Sequence, residues 1–187
     1  VSRMRLINRW ALMQNTAEEN VAEDSHNAAV IAHSLCINGN KKFEKKYNAE
    51  RCALLALYHD ATEVITGDMP TPVKYGSEDM KSVYKDVEKI AGNRLLDMLP
   101  EEFKEEYSPL FNRKSEDEEL WKIVKAADKI DALIKCINET RMGNREFEKA
   151  LEAQKKLIDE IDMPEVEYFR NEFLPAYYLT LDEHTKR

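Results

Sequence analysis

The stretch AERCALLALYHDATEVI, residues 49–65, does most to narrow what this chain can become. Its apolar residues recur at helical spacing almost without interruption, which predicts a helix set in the centre of a core. Yet that helix places His59 and Asp60 side by side, with Glu63 a turn further on and Asp68 just past its expected end near Gly67. Burying even a neutral polar group without a partner costs roughly 2–7 kcal/mol, so these ionisable groups demand compensation. A bound cation is the first candidate. The next segment, GDMPTPVKYG, has two prolines one residue apart, which predicts a stiff, non-helical loop placed to complete a site.

Around this centre the periodicity predicts more helices. Residues 24–38, DSHNAAVIAHSLCIN, form one, capped by Asp24 or Ser25 and ending at Asn38-Gly39. A second spans 79–98, and Pro100 with Glu101 and Glu102 opens a short third. LWKIVKAADKIDALIKCINETR is a long helix with Asp128 in its apolar part, and two more fall at 144–161 and 164–180. With only 5 Gly and 6 Pro, and 43% apolar residues in a 187-residue chain, the expectation is an all-α protein built as one domain over 1–187.

A formal charge of -8 argues against long DNA or RNA, which needs a basic surface to displace counterions. It leaves room for one small phosphate ester, which a single Arg or a metal holds locally. Cys36, Cys52 and Cys136 are far apart and show no CxxC pattern, so neither a disulfide framework nor a zinc knuckle is expected. No apolar run approaches the roughly 18–20 residues of a membrane span, and a cytoplasmic protein is the expectation.

On a continuous helix Glu63, four residues after His59 and three after Asp60, shares a face with both. Imidazole and carboxylates suit divalent first-row metals, and Asp128 would arrive from a distant helix to close the cage. Taken alone, an adjacent His-Asp pair reads equally well as a surface or capping pair, and Trp10 reads as a core residue.

Four separated segments add to this: RLINRWALM, ENVAE, YHDATEVITGDMPTPVKY and IVKAAD. Together they resemble the HD-domain 5'-deoxynucleotidases of the YfbR type, from residue 3 to about 182. The resemblance implies an all-helical cytosolic homodimer that hydrolyses deoxyribonucleoside 5'-monophosphates with one divalent metal ion, such as Co²⁺ or Mn²⁺. It also implies roles. His59, Asp60 and Asp128 fall on metal ligands, Glu63 on a catalytic carboxylate, and Asp68 on the carboxylate that activates the attacking water and borders the substrate. Arg9 falls on a phosphate contact, and Trp10 on an aromatic that lines the sugar and disfavours a 2'-hydroxyl.

One position departs from the pattern. Where the family motif reads like VSEHS, this chain reads VAEDS, so Asp24 stands in the place of a ligating His. A carboxylate ligates Mn, Co or Mg, but the substitution adds a negative charge to the cage and favours harder metals. His26 does not replace it, because two residues turn a helix by about 200°. The alternatives are an HD-type hydrolase of deoxynucleoside triphosphates and a degenerate HD module that binds nucleotide without turnover.

Overall fold

The computed structural model describes residues 1–74 and 76–185, apart from the side chains of Thr71 and Pro72. Among these residues there are helices and no strands, as the sequence predicts. Three helices make the centre: α1 (Val21–Lys42), α2 (Ala49–Tyr58) and α7 (Glu118–Arg141), each packed on the other two. Leu35, Leu55, Ile123 and Ile137 from these helices are fully buried, which is where the apolar run of residues 49–58 belongs. Between α2 and α7 come the short α3 (Glu63–Thr66) and α4 (Thr71–Lys74), then α5 (Glu78–Asp97) and α6 (Glu101–Phe111). The helices α8 (Glu148–Asp159), α9 (Pro164–Glu172) and the short α10 (Leu181–His184) follow α7. Of these, α8 covers α7 and α9 covers α1.

The helix expected over 164–180 ends at Glu172 and gives way to a 3-10 turn, Leu174–Tyr178, and three further local expectations are corrected. First, α1 begins at Val21 and runs to Lys42 rather than spanning 24–38. Asn20 is the cap: its Oδ1 accepts from the amides of Ala22 and Glu23, both at 3.1 Å, while the Glu23 carboxylate accepts from the Asn20 amide at 3.2 Å. This reciprocal box satisfies two free amides at once and displaces Asp24 from the capping role into the first turn, where it is fully buried. At the other end Gly39 stays helical because the Tyr47 ring lies against it. A Cβ there would meet Tyr47 Cε2 at 2.7 Å, so the glycine is needed for close approach and does not end the helix.

Second, residues 49–65 are two helices and not one, because the chain turns at His59. The His59 Nδ1 lies 2.7 Å from the Ala56 carbonyl, the acceptor that the Asp60 amide would use in a continuing helix. The amides of Ala61 and Glu63 bond only three residues back, to Tyr58 at 3.0 Å and Asp60 at 3.0 Å. Third, the proline-rich segment contains the helical turn α4, with Pro70 O accepting from the amides of Val73 (2.8 Å) and Lys74 (3.0 Å). Prolines at the start of a helix lack an N–H that would be unpaired there in any case.

Ahead of α1, residues 2–6 form a 3-10 turn, and an antiparallel bridge joins Asn8 to Asn20. Met4, Val21 and Ala61 make a small second core beneath it, which sets the N-terminal segment over the α2–α3 junction.

Candidate metal and phosphate site

The break after Tyr58 turns His59 and Asp60 away from the helix axis and toward α1 and α7. A carbonyl only accepts, so the Nδ1 of His59 carries a proton, which leaves Nε2 as the nitrogen able to offer a lone pair to a cation. That Nε2 faces Asp60 Oδ2 at 3.3 Å, Asp24 Oδ2 at 3.7 Å and Asp128 Oδ1 at 3.8 Å. The residues predicted from sequence as ligands are therefore brought together from α1, the α2–α3 junction and α7.

Arg9 enters from the segment before α1, aligned by its amide bond to Glu19 O at 2.9 Å. Its guanidinium reaches Asp24 Oδ1 at 3.1 Å, Asp60 Oδ2 at 3.1 Å and Asp128 Oδ1 at 3.7 Å. Burial alone would raise Asp60, but His59 and Arg9 beside it hold it below the ordinary carboxylate range. Asp24 goes the other way: burial pushes it well up, and Arg9 and His59 only partly offset that. For His59, burial opposes protonation, yet Asp60 and Asp128 win and push the ring's pKa upward.

The donor set fits a divalent cation. Both Asp24 oxygens and His59 Nε2 are buried and make no well-aligned hydrogen bond, Asp24 having only its ion pair with Arg9, and ligand atoms of Asp24, His59 and Asp60 lie within 4.8 Å of one another. Unpaired lone pairs converging in a buried space are what a cation satisfies and what a dry protein interior otherwise avoids.

Glu63, on α3, is also buried, with Oε2 unpaired. Burial and the neighbouring Asp60 and Asp68 carboxylates push it up to about 9. Gly67, at φ +73°, redirects the chain from α3 to Asp68, a conformation that a side chain would strain. Asp68 is half-buried, and burial raises it against the pull of Arg9. Trp10 sits beside Arg9 with its ring on Phe147, centroids 5.4 Å apart at 54°.

His26 is exposed on α1 while Asp24 is buried, as the rotation between them predicts. Sequence reasoning missed Glu19 and Asp131. Glu19 lies 3.8 Å from the Arg9 Nε, and a carboxylate oxygen of Asp131 comes within 4.8 Å of Glu19 and Asp24. Asp131 is buried and pushed up to about 7 by that burial and by Glu19. Its signal was available, since it follows Asp128 by one turn on the same helix.

Comparison with known proteins places the whole chain. The family described as 5'-deoxynucleotidase YfbR-like matches residues 1–177. A 5'-deoxynucleotidase of Vibrio parahaemolyticus is 48% identical over 183 residues, covering 98% of this chain and 94% of its own. The 5'-deoxynucleotidase YfbR of Salmonella paratyphi B is 46% identical, covering 98% and 92%. Among solved structures, an HD-domain phosphohydrolase from Listeria innocua superposes with a TM-score of 0.80 at 25% identity, over 98% of this chain and 89% of that one. The HD phosphohydrolase of cyanophage S-2L, solved with dA and one catalytic Zn²⁺, shares the fold with a TM-score of 0.63 at 19% identity, over 96% and 95%. By sequence over nearly its whole length, and by a fold shared with HD-domain phosphohydrolases, this chain belongs to the YfbR-like 5'-deoxynucleotidase family.

Proposed function

We propose that this chain hydrolyses deoxyribonucleoside 5'-monophosphates to deoxynucleosides and phosphate. The observation that carries the reading is the convergence of Asp24, Asp60 and Asp128 on the Arg9 guanidinium, with His59 Nε2 facing the same three carboxylates. These four side chains would hold one divalent cation, Co²⁺ or Mn²⁺. When bound, the ion polarises a phosphate oxygen and makes water a better nucleophile at neutral pH.

The chain's own groups do the rest. Arg9 exchanges its carboxylate partners for phosphate oxygens, which it grips with charge-assisted hydrogen bonds. Asp68, on the loop that Gly67 redirects, takes the proton of the attacking water, whose oxygen joins phosphorus as the bond to the 5'-oxygen breaks. Glu63 stands behind it as the second carboxyl and passes a proton to the departing 5'-oxygen. Trp10 lays a flat apolar wall beside the sugar, where a 2'-hydroxyl would lose its water and find no partner. With three carboxylates and one imidazole the cage carries -3, against -2 with histidine at position 24, which weakens its hold on a phosphate dianion.

Phosphate release from dAMP and AMP with Co²⁺ or Mn²⁺, compared between this chain and Asp24→His, tests the proposal. Release from both, with dAMP preferred and the variant faster, is expected. Release by neither chain overturns it, and release from dATP instead moves the substrate to the triphosphate.

A further inference from the structure

Arg9 and Trp10 lie outside every helix, and Trp10 has a φ of +55°, a conformation that L residues adopt only when their surroundings impose it. The Asn8–Asn20 bridge fixes the two ends of this segment. Its middle is held elsewhere, by a polar cluster on α7 that lies apart from the metal cage.

Glu139 and Lys135, one turn apart on α7, are 1% and 6% exposed and form a buried ion pair. The Glu139 carboxylate also accepts from the amides of Thr16 at 2.9 Å and Ala17 at 3.1 Å. Lys135 donates in turn to Ala17 O. Asn144 completes the clamp, donating to Glu139 Oε2 at 2.8 Å and to Gln14 O at 2.7 Å. Within the segment Asn15 Nδ2 ties Trp10 O at 3.1 Å to Met13 O at 3.0 Å, so the turn that follows Trp10 leads directly into the clamped residues.

The platform under the indole is tied to the same cluster. Phe147 is fully buried three residues after Asn144, whose amide bonds to Glu139 O at 3.0 Å, and Lys135 Nζ stands 5.6 Å from the Phe147 ring centre. One carboxylate thus holds both the loop that carries Trp10 and the chain that carries its support. An i,i+4 pair on a surface contributes little. Here it is buried and every oxygen has donors, which makes it a fixed anchor.

We propose that Glu139, with Lys135 and Asn144, is a positioning device for substrate selectivity: it sets the height of Trp10 over Phe147 and thereby the chain's discrimination against a ribose 2'-hydroxyl. The proposal rests on the deoxynucleotidase reading for its substrate, but the clamp itself is defined by geometry alone.

The test uses Glu139→Gln and Asn144→Ala in a Trp121→Phe background, which leaves Trp10 as the sole indole of the chain's 2 tryptophans. Three quantities are read: acrylamide quenching of Trp10, bound metal after desalting, and kcat/KM for dAMP against AMP. The expected result is unchanged metal content, more readily quenched Trp10 emission, and a dAMP-to-AMP ratio that falls at least about fivefold, chiefly through KM for dAMP. A merely structural role lowers the Tm and both kcat/KM values alike, with ratio and quenching unmoved, and that result overturns the proposal. Asn144→Ala, at the half-buried edge, decides the matter if Glu139→Gln does not fold. If the parent chain releases phosphate from neither nucleotide, the substrate reading falls, while quenching, which needs no turnover, still decides for or against the clamp.

Discussion

A single tautomer does much of the organising at this site. His59 gives its Nδ1 proton to Ala56 O, which both ends α2 and leaves Nε2 free among carboxylates from three directions. A hydrogen bond from one ring nitrogen that fixes the other for a metal is a general device, and here the helix that His59 terminates supplies the acceptor. Asp128→Ala removes the one proposed ligand contributed by α7. It is expected to leave the purified protein without bound Co²⁺ or Mn²⁺ by elemental analysis, with helix content unchanged by circular dichroism. Metal retained at one equivalent would remove Asp128 from the ligand set. At this scale the sequence was informative about His59, Asp60 and Asp24, which share short segments or a recognisable motif. It was silent about Glu19, because no periodicity places a residue in an irregular segment against a guanidinium.

At the level of elements, the central helices were readable because an apolar stripe must find a core, and α7 appears where its pattern predicts. The ends were less readable. The Asn20–Glu23 box moved the start of α1, and a side chain competing for a backbone carbonyl split residues 49–65; both are local bonds that hydrophobic periodicity does not see. The clamp on α7 has a measurable acid signature. Burial would raise Glu139, but Lys135, Asn144 and the amides of Thr16 and Ala17 hold it down at about 2. A carboxylate with a depressed folded-state pKa stabilises the fold above its unfolded value and loses that contribution as pH falls through the folded one. The window runs from the ordinary value of 4.5 down to about 2, and the term is on the order of 3 kcal/mol. Urea unfolding between pH 6 and about 2.5 is therefore expected to show a steep acid loss that Glu139→Gln flattens. Parallel pH profiles for the two proteins would show that Glu139 is not held in this way.

For the whole molecule, the outer face of α5 carries an exposed apolar stripe. Met80, Val83, Val87 and Ile90 recur along α5 at helical spacing and are 44%, 57%, 39% and 55% exposed. An apolar stripe of this kind suits association, and we propose that it joins two copies of the chain, in the homodimer that the family resemblance implies. On that proposal the unchanged chain sediments as a dimer, and Val83→Glu with Val87→Glu is expected to sediment as a monomer without a change in helix content. A wild-type chain that sediments as a monomer at 10 µM or so would remove this face from consideration.

The division between the proposed metal ligands, on α1, on α7 and at the α2–α3 junction, and the proposed substrate contacts Arg9 and Trp10 on an N-terminal tether reaches further than one reaction. Arg9 is paired with Asp24, Asp60 and Asp128, so it is changes at Trp10 or in the anchor on α7, and not at Arg9, that would alter what is admitted and leave the proposed ligands where they are. A lineage built this way can explore new nucleotides while retaining its chemistry, since the two tasks are written into separate stretches of chain.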